Sequence, residues 1–194
     1  MSRADLGPEK PARNTFRRSH GAAMPQDGQH HPVAPTRPGR PGEVHVDRLN
    51  LDGFARLTLA LMRWYLQTFA TPGTQGWFMA LRVATAQVGP QKAGALCYDV
   101  VALVQTLRAA RRSPFQFNAE GCGCCRVWLT PEERRLIDLL GALRRGQAGR
   151  ARMLVQMLCD GAPSDDLFSV AETFLRRNAP SLVPGNTVQA DTAR

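Results

Sequence analysis

From residue 49 onward, large apolar residues return every three or four positions, with polar residues between them. That period belongs to helices with one buried face. Phe54, Leu57, Leu61, Tyr65 and Phe69 form the first series and predict a helix over 49–70, stopped by Pro72-Gly73. A second helix is predicted over 75–88, with Trp77, Phe78, Leu81, Ala84 and Val88 on its buried face and Gly89-Pro90 as its end. A third covers 91–112, where Leu96, Val100, Leu103, Val104 and Leu107 face inward. Arg108, Arg111 and Arg112 crowd its C-terminal end, where cations suit the helix dipole.

The clearest helix start is Thr130-Pro131-Glu132-Glu133. Thr130 can cap, Pro131 fits the first helical position, and Glu133 closes a capping box. Leu136, Ile137, Leu140 and Leu143 supply the apolar face, and Gly146 ends the helix behind Arg144 and Arg145. A further helix is predicted over 148–159, stopped by Gly161 and Pro163. Ser164 or Asp165 caps the last one, lined by Leu167, Phe168, Ala171, Phe174 and Leu175. No strand-like alternation competes. The pattern predicts an all-α fold, a bundle of about six short antiparallel helices.

Residues 1–48 break this pattern. Large apolar side chains are sparse there, and Pro32, Pro35, Pro38 and Pro41 alternate with Arg37 and Arg40. Such a segment buries too little area to offset the entropy of ordering, so a disordered N-terminal arm is expected. His30-His31 is a metal-type pair without a scaffold of fixed geometry. Residues 49–178 are the expected domain, and 179–194 a flexible tail.

The net charge is +9, of which +6 falls within 49–178. A basic body raises the prospect of an acidic partner or of nucleic acid. Arg108, Arg111, Arg112, Arg134, Arg135, Arg144 and Arg145 would form a phosphate-binding surface if they converged. Against that, lysine is nearly absent beside 23 arginines, a skew that coding bias also produces. The stretch Leu129-Thr130-Pro131-Glu132-Glu133-Arg134-Arg135 resembles the opening of the DNA-binding helix-turn-helix of LuxR-type response regulators. Past Gly146 the sequence departs from that pattern. A recognition helix presents polar side chains to base edges, whereas Met153 to Leu158 is mostly apolar and reads as buried. No DNA-contact residue is carried over.

Chemistry concentrates in the longest connection, residues 113–129. Gly121-Cys122-Gly123-Cys124-Cys125-Arg126 places three of the five cysteines within four residues. Read as a C-x-C pair followed by an adjacent cysteine, the set offers three thiolates to a soft ion. Zinc and an iron–sulfur cluster each want a fourth ligand, expected from Cys97 on the third helix or Cys159 at the end of the fifth. Copper(I) suits the C-x-C pair alone. Adjacent side chains such as Cys124 and Cys125 tend to diverge, which works against a joint site. Taken singly, Cys97 and Cys159 read as small core residues. Arg126 beside the cluster would favour a reactive thiolate, and Trp128 is expected to anchor the loop to the bundle.

No phosphate-loop, dinucleotide-binding or Ser-His-Asp pattern is present, and 49–178 contains no histidine. Acid–base enzymology is therefore not expected. No apolar leader opens the chain, and no stretch reads as the roughly 20 apolar residues of a membrane span. The expectation is a non-enzymatic cytoplasmic regulatory or accessory protein. Its cysteine loop would bind zinc or an iron–sulfur cluster, or sense redox state, and its partner would be another protein. A nucleic-acid-binding regulator using the arginine surface, or an interaction bundle with structural cysteines, are the alternatives.

Overall fold

The computed structural model describes residues 37–179. Of the arm expected over 1–48, residues 1–36 lie outside the described residues, as does the tail expected over 179–194 apart from Ala179. Six helices follow in order: α1 Gly53–Ala70, α2 Gly76–Val88, α3 Pro90–Ala110, α4 Pro131–Arg144, α5 Ala148–Leu158 and α6 Asp165–Asn178. Two short strands, β1 Val44–His45 and β2 Trp128–Leu129, pair antiparallel, with Val44 opposite Leu129 and His45 opposite Trp128. The architecture is an all-α bundle with this one small strand pair added among the described residues.

Local chemistry sets the helix starts. Asp52 accepts the Ala55 N–H at 2.7 Å, and Ser164 Oγ accepts the Leu167 N–H at 3.2 Å. The capping box of α4 is complete: Thr130 Oγ1 accepts from Glu133 N–H at 3.1 Å, and Glu133 Oε2 accepts from Thr130 N–H at 2.8 Å. Pro90 is the first residue of α3 rather than part of a break, because a helix start leaves that N–H unbonded anyway.

One core joins all six helices. Leu61, Met62, Val100, Leu103, Leu107 and Leu136 are buried in it with Leu139, Leu158, Leu167 and Phe174. A smaller cluster of Leu59, Leu129 and Ile137 seats β2 against α1 and α4. Asp99 of α3 is buried and held by Arg177 at 3.0 Å and Asn178 at 2.8 Å, which ties α3 to the end of α6. Among the described helices, α3 is long and apolar enough, by length and composition, to cross a membrane. Here its apolar face packs against α1, α2 and α6.

Three further expectations change. α2 turns its small residues inward: Gly76, Ala80 and Ala84 are buried, while Trp77, Phe78 and Leu81 are exposed. A Cβ on Gly76 would collide with the Trp64 carbonyl, so close packing on α1 selects the small face over the large one. On α5, Met153 and Met157 are exposed and only Leu154, Val155 and Leu158 of that stretch are buried. Finally, residues 37–48 belong to the folded body. Polar contacts at Arg37 and Glu43, the β1–β2 pair and Val46 and Leu49 packing on the smaller cluster hold them there. Sparse apolar content does not predict this, because hydrogen bonds and ion pairs make most of the attachment.

Candidate metal centre

The cysteine loop is a run of tight turns. Cys122 N–H donates to the Ala119 carbonyl, and the Cys122 carbonyl accepts from both Cys125 and Arg126 N–H at 3.0 Å. Trp128 N–H then donates to the Cys125 carbonyl at 3.0 Å and leads into β2. This winding brings the three sulfurs to one place. Cys122 Sγ lies 2.7 Å from Cys125 Sγ and 3.2 Å from Cys124 Sγ, and Cys124 Sγ lies 3.9 Å from Cys125 Sγ. The expected divergence of Cys124 and Cys125 holds for extended backbone, not for a turn. Cys122 and Cys125 also form a C-x₂-C pair, the usual spacing of a metal knuckle, which the C-x-C reading passes over.

Gly121 and Gly123 differ in role. A Cβ at Gly121 would crowd the Trp64 indole of α1, whereas Gly123 faces open space. Neither has a positive φ, so the turn does not depend on glycine backbone freedom.

The loop is clamped from below by Arg63, a buried residue in the middle of α1. Its guanidinium donates to Glu133 at 2.7 and 3.0 Å, to Glu120 at 3.1 Å, and to the carbonyls of Arg126 at 2.8 Å and Trp128 at 2.6 Å. Burial alone would lower the Arg63 pKa, but the carboxylates of Glu133 and Glu120 outweigh it and the net shift is upward. Burial raises the Glu120 pKa, and Arg63 opposes that only in part. Glu133 thus serves twice, as cap residue of α4 and as counter-ion of α1. Buried Asn118 extends the network, with its N–H on Glu133 at 3.0 Å and its side chain on Glu43, Trp128 and Arg37.

Arg37 clamps from the other side. It holds Glu43 at 2.7 and 3.0 Å and lies against the Cys125 sulfur. Glu43, then Cys125, raise its pKa, so a fixed cation stands beside the thiols. The Trp128 indole N–H donates to the Arg37 carbonyl at 3.2 Å, and His45 packs edge-on to the same ring. Trp128 therefore anchors residues 37–45 as well as the loop. His45 is a histidine within the body, on β1 and outside the sulfur group.

Cys122 and Cys124 are not equivalent. Hydrogen bonding with Cys125 and then Cys124, side chain and backbone, pulls Cys122 down to about 7. Cys124, with Cys122 as its first neighbour, is pushed up to about 11. Of these two, Cys122 therefore gives up its proton at the lower pH. Cys122, Cys124 and Cys125 have sulfurs within 4.8 Å of one another, and among the described residues no fourth Cys, His, Asp or Glu joins that group. Cys97 and Cys159 sit in the helical core. Cys97 lies against Tyr65, and burial raises the Cys159 pKa.

The arginines proposed for phosphate are dispersed. Arg111 is only 3% exposed and is committed to Glu132 at 2.6 Å and to the Leu158 carbonyl. Arg144 pairs with Asp52 at 2.6 Å and Arg134 with Asp138 at 3.8 Å. Arg108 lies over the Phe69 ring at 4.3 Å and borders one cavity with Arg112 and Phe115. Arg144 and Arg145 border a different one beside Asp52 and Asp138, and Arg135 borders neither.

Compared with known proteins, the chain has no significant match among family models, curated proteins or solved structures.

Proposed function

We propose that this protein is a non-enzymatic regulatory or accessory factor that binds a soft metal ion, zinc above all, through Cys122, Cys124 and Cys125. The observation that carries this reading is the convergence of three sulfurs on one short loop clamped between Arg63 and Arg37. Tetrahedral zinc with Zn–S bonds of about 2.3 Å sets sulfurs about 3.8 Å apart. The Cys124–Cys125 separation of 3.9 Å already meets that. The two Cys122 separations of 2.7 and 3.2 Å open by roughly an ångström or less, a rotation of one side chain. A four-thiolate iron–sulfur cluster fits less well, because Cys97 and Cys159 pack in the core away from this group.

In this reading the ion exchanges protons for a bridge. Ligation deprotonates the thiols and fixes the 119–128 turns, and with them the segment that Trp128 and Arg37 hold. The surface built from residues 37–45 and the loop is then what a partner protein meets. Zinc titration of the full chain tests the reading. One ion per chain is expected, lost in Cys122→Ser/Cys124→Ser; equal stoichiometry in that variant overturns it.

The 2.7 Å contact of Cys122 with Cys125 favours a second reading, a dithiol that closes to a disulfide. With peroxide as oxidant, the Cys122 thiolate takes one oxygen to give a sulfenic acid, releasing water after protonation. The Cys125 thiol then displaces a second water and forms the S–S bond. Mass loss of two hydrogens, mapped to Cys122 and Cys125 after peroxide treatment, is the expected sign. Its absence removes this reading.

A further inference from the structure

The ends of α1 and α3 and residues 113–117 border a cavity of about 340 Å³, with no cysteine in its lining. We propose that it binds a small aromatic carboxylate, one or two rings carrying an acid group. The inference is independent of the metal reading above. Three observations converge on it.

The first is the shape and chemistry of the walls. Phe69 of α1, with Phe115 and Phe117, is half-buried: all three pack on the core and line the cavity, with Leu66 beside them. An apolar cavity of about 150 Å³ admits benzene, so this one has room for two fused rings and an acid group. It also lies at the low end of the range for ligand sites, about 300–1,000 Å³, which favours a small molecule over a peptide or a nucleic acid.

The second is the charge at the rim. Arg108 and Arg112 border the cavity, and none of the described residues that line it carries a carboxylate. Both arginines are exposed, and among the described residues neither pairs with Asp or Glu. Arg108 stacks on the Phe69 ring at 4.3 Å and spends one N–H on Gln105 at 2.8 Å. The Arg112 side chain makes no hydrogen bond among the described residues. A guanidinium holds five N–H donors in a fork that matches a carboxylate. The helix dipole favours cations here but bonds none of these N–H groups.

The third is that the frame is built in advance. Asp160 accepts the N–H groups of Arg112 and Ser113 at 2.8 and 3.0 Å and the Ser113 hydroxyl at 2.6 Å. Arg111 holds Glu132 at 2.6 Å and the Leu158 carbonyl, and Glu132 also accepts the Gln116 N–H. The carboxylates nearest the cavity are thus taken up in fixing the loop. Phe115 stands between these anchors, so the aromatic wall needs little ordering when a ligand arrives.

Protein-observed NMR of the full-length chain tests the site. The probes are indole-3-acetate, a fused-ring carboxylate, and indole-3-acetamide, its neutral counterpart. The acid is expected to give saturable shifts at the amides of residues 66–70 and 108–117, and the amide to bind about 10-fold more weakly or worse. Arg108→Gln/Arg112→Gln should weaken the acid by a similar factor of about 10 or more. Arg150→Gln, at an exposed position of α5 outside the cavity, should match the parent. So should Cys122→Ser/Cys124→Ser, which keeps this outcome separate from that of the zinc titration. No saturable shift, equal affinity for acid and amide, or an unchanged affinity in Arg108→Gln/Arg112→Gln each overturns the proposal. Shifts centred on residues 119–128 that vanish in the cysteine variant overturn it too.

Discussion

The hydrogen bonds around the Cys122 sulfur set it apart from Cys124. Hydrogen bonding with Cys125 and Cys124 lowers the Cys122 pKa to about 7, while Cys124 rises to about 11. In metal-free protein, alkylation at Cys122 should therefore rise with pH through a midpoint of about 7, with Cys124 silent well above that. Pulse labelling with iodoacetamide and peptide mass spectrometry reads this, and a common midpoint near the ordinary thiol value would contradict it. The cysteines were plain in the sequence, but Arg63 was not. It sits at a core position of α1, where an arginine among Leu61, Met62 and Tyr65 breaks the apolar series. That break was the available signal. Its partners Glu120, Glu133 and two carbonyls come from residues far along the chain, so its role depended on topology. Arg63→Met leaves Glu133 buried without its cation and should cost about 3–5 kcal/mol in denaturant unfolding. A loss under 1 kcal/mol would show that the clamp is dispensable.

The six helices were legible because each carries its own start and stop chemistry, as at Thr130-Pro131 and Ser164. Which face of a helix turns inward was less so. On α2 both a large face and a small face were available, and the close approach to Trp64 decided for Gly76, Ala80 and Ala84. This yields a test with an unusual sign. Gly to Ala within a helix normally stabilises by about 0.5–1 kcal/mol. Gly76→Ala should instead destabilise, since the added Cβ meets backbone that cannot move aside. A higher urea midpoint in that variant would mean that α2 does not pack as described. The strand pair escaped the periodicity because two residues on each side carry no pattern.

The body as a whole begins before the helices do. Residues 37–45 lie across the cysteine loop, held by Arg37, Glu43, Asn118 and Trp128. That strap makes part of the fold acid-sensitive. Arg37 lowers the Glu43 pKa from about 4.5 to about 2 in the folded state. Its contribution is thus complete above the ordinary carboxylate range and is lost as pH falls toward about 2. Thermal stability should drop across that window, and Glu43→Gln should flatten the drop while lowering stability at neutral pH. The same acid profile in the variant would place the sensitivity elsewhere. Composition alone assigned this segment to the arm, because what fixes it is polar and comes from distant parts of the chain.

X-ray absorption at the zinc edge of zinc-loaded full-length protein tests the metal centre most directly. The account predicts three sulfur neighbours at about 2.3 Å. A shell of oxygen and nitrogen alone, or a protein that retains no zinc, would contradict it.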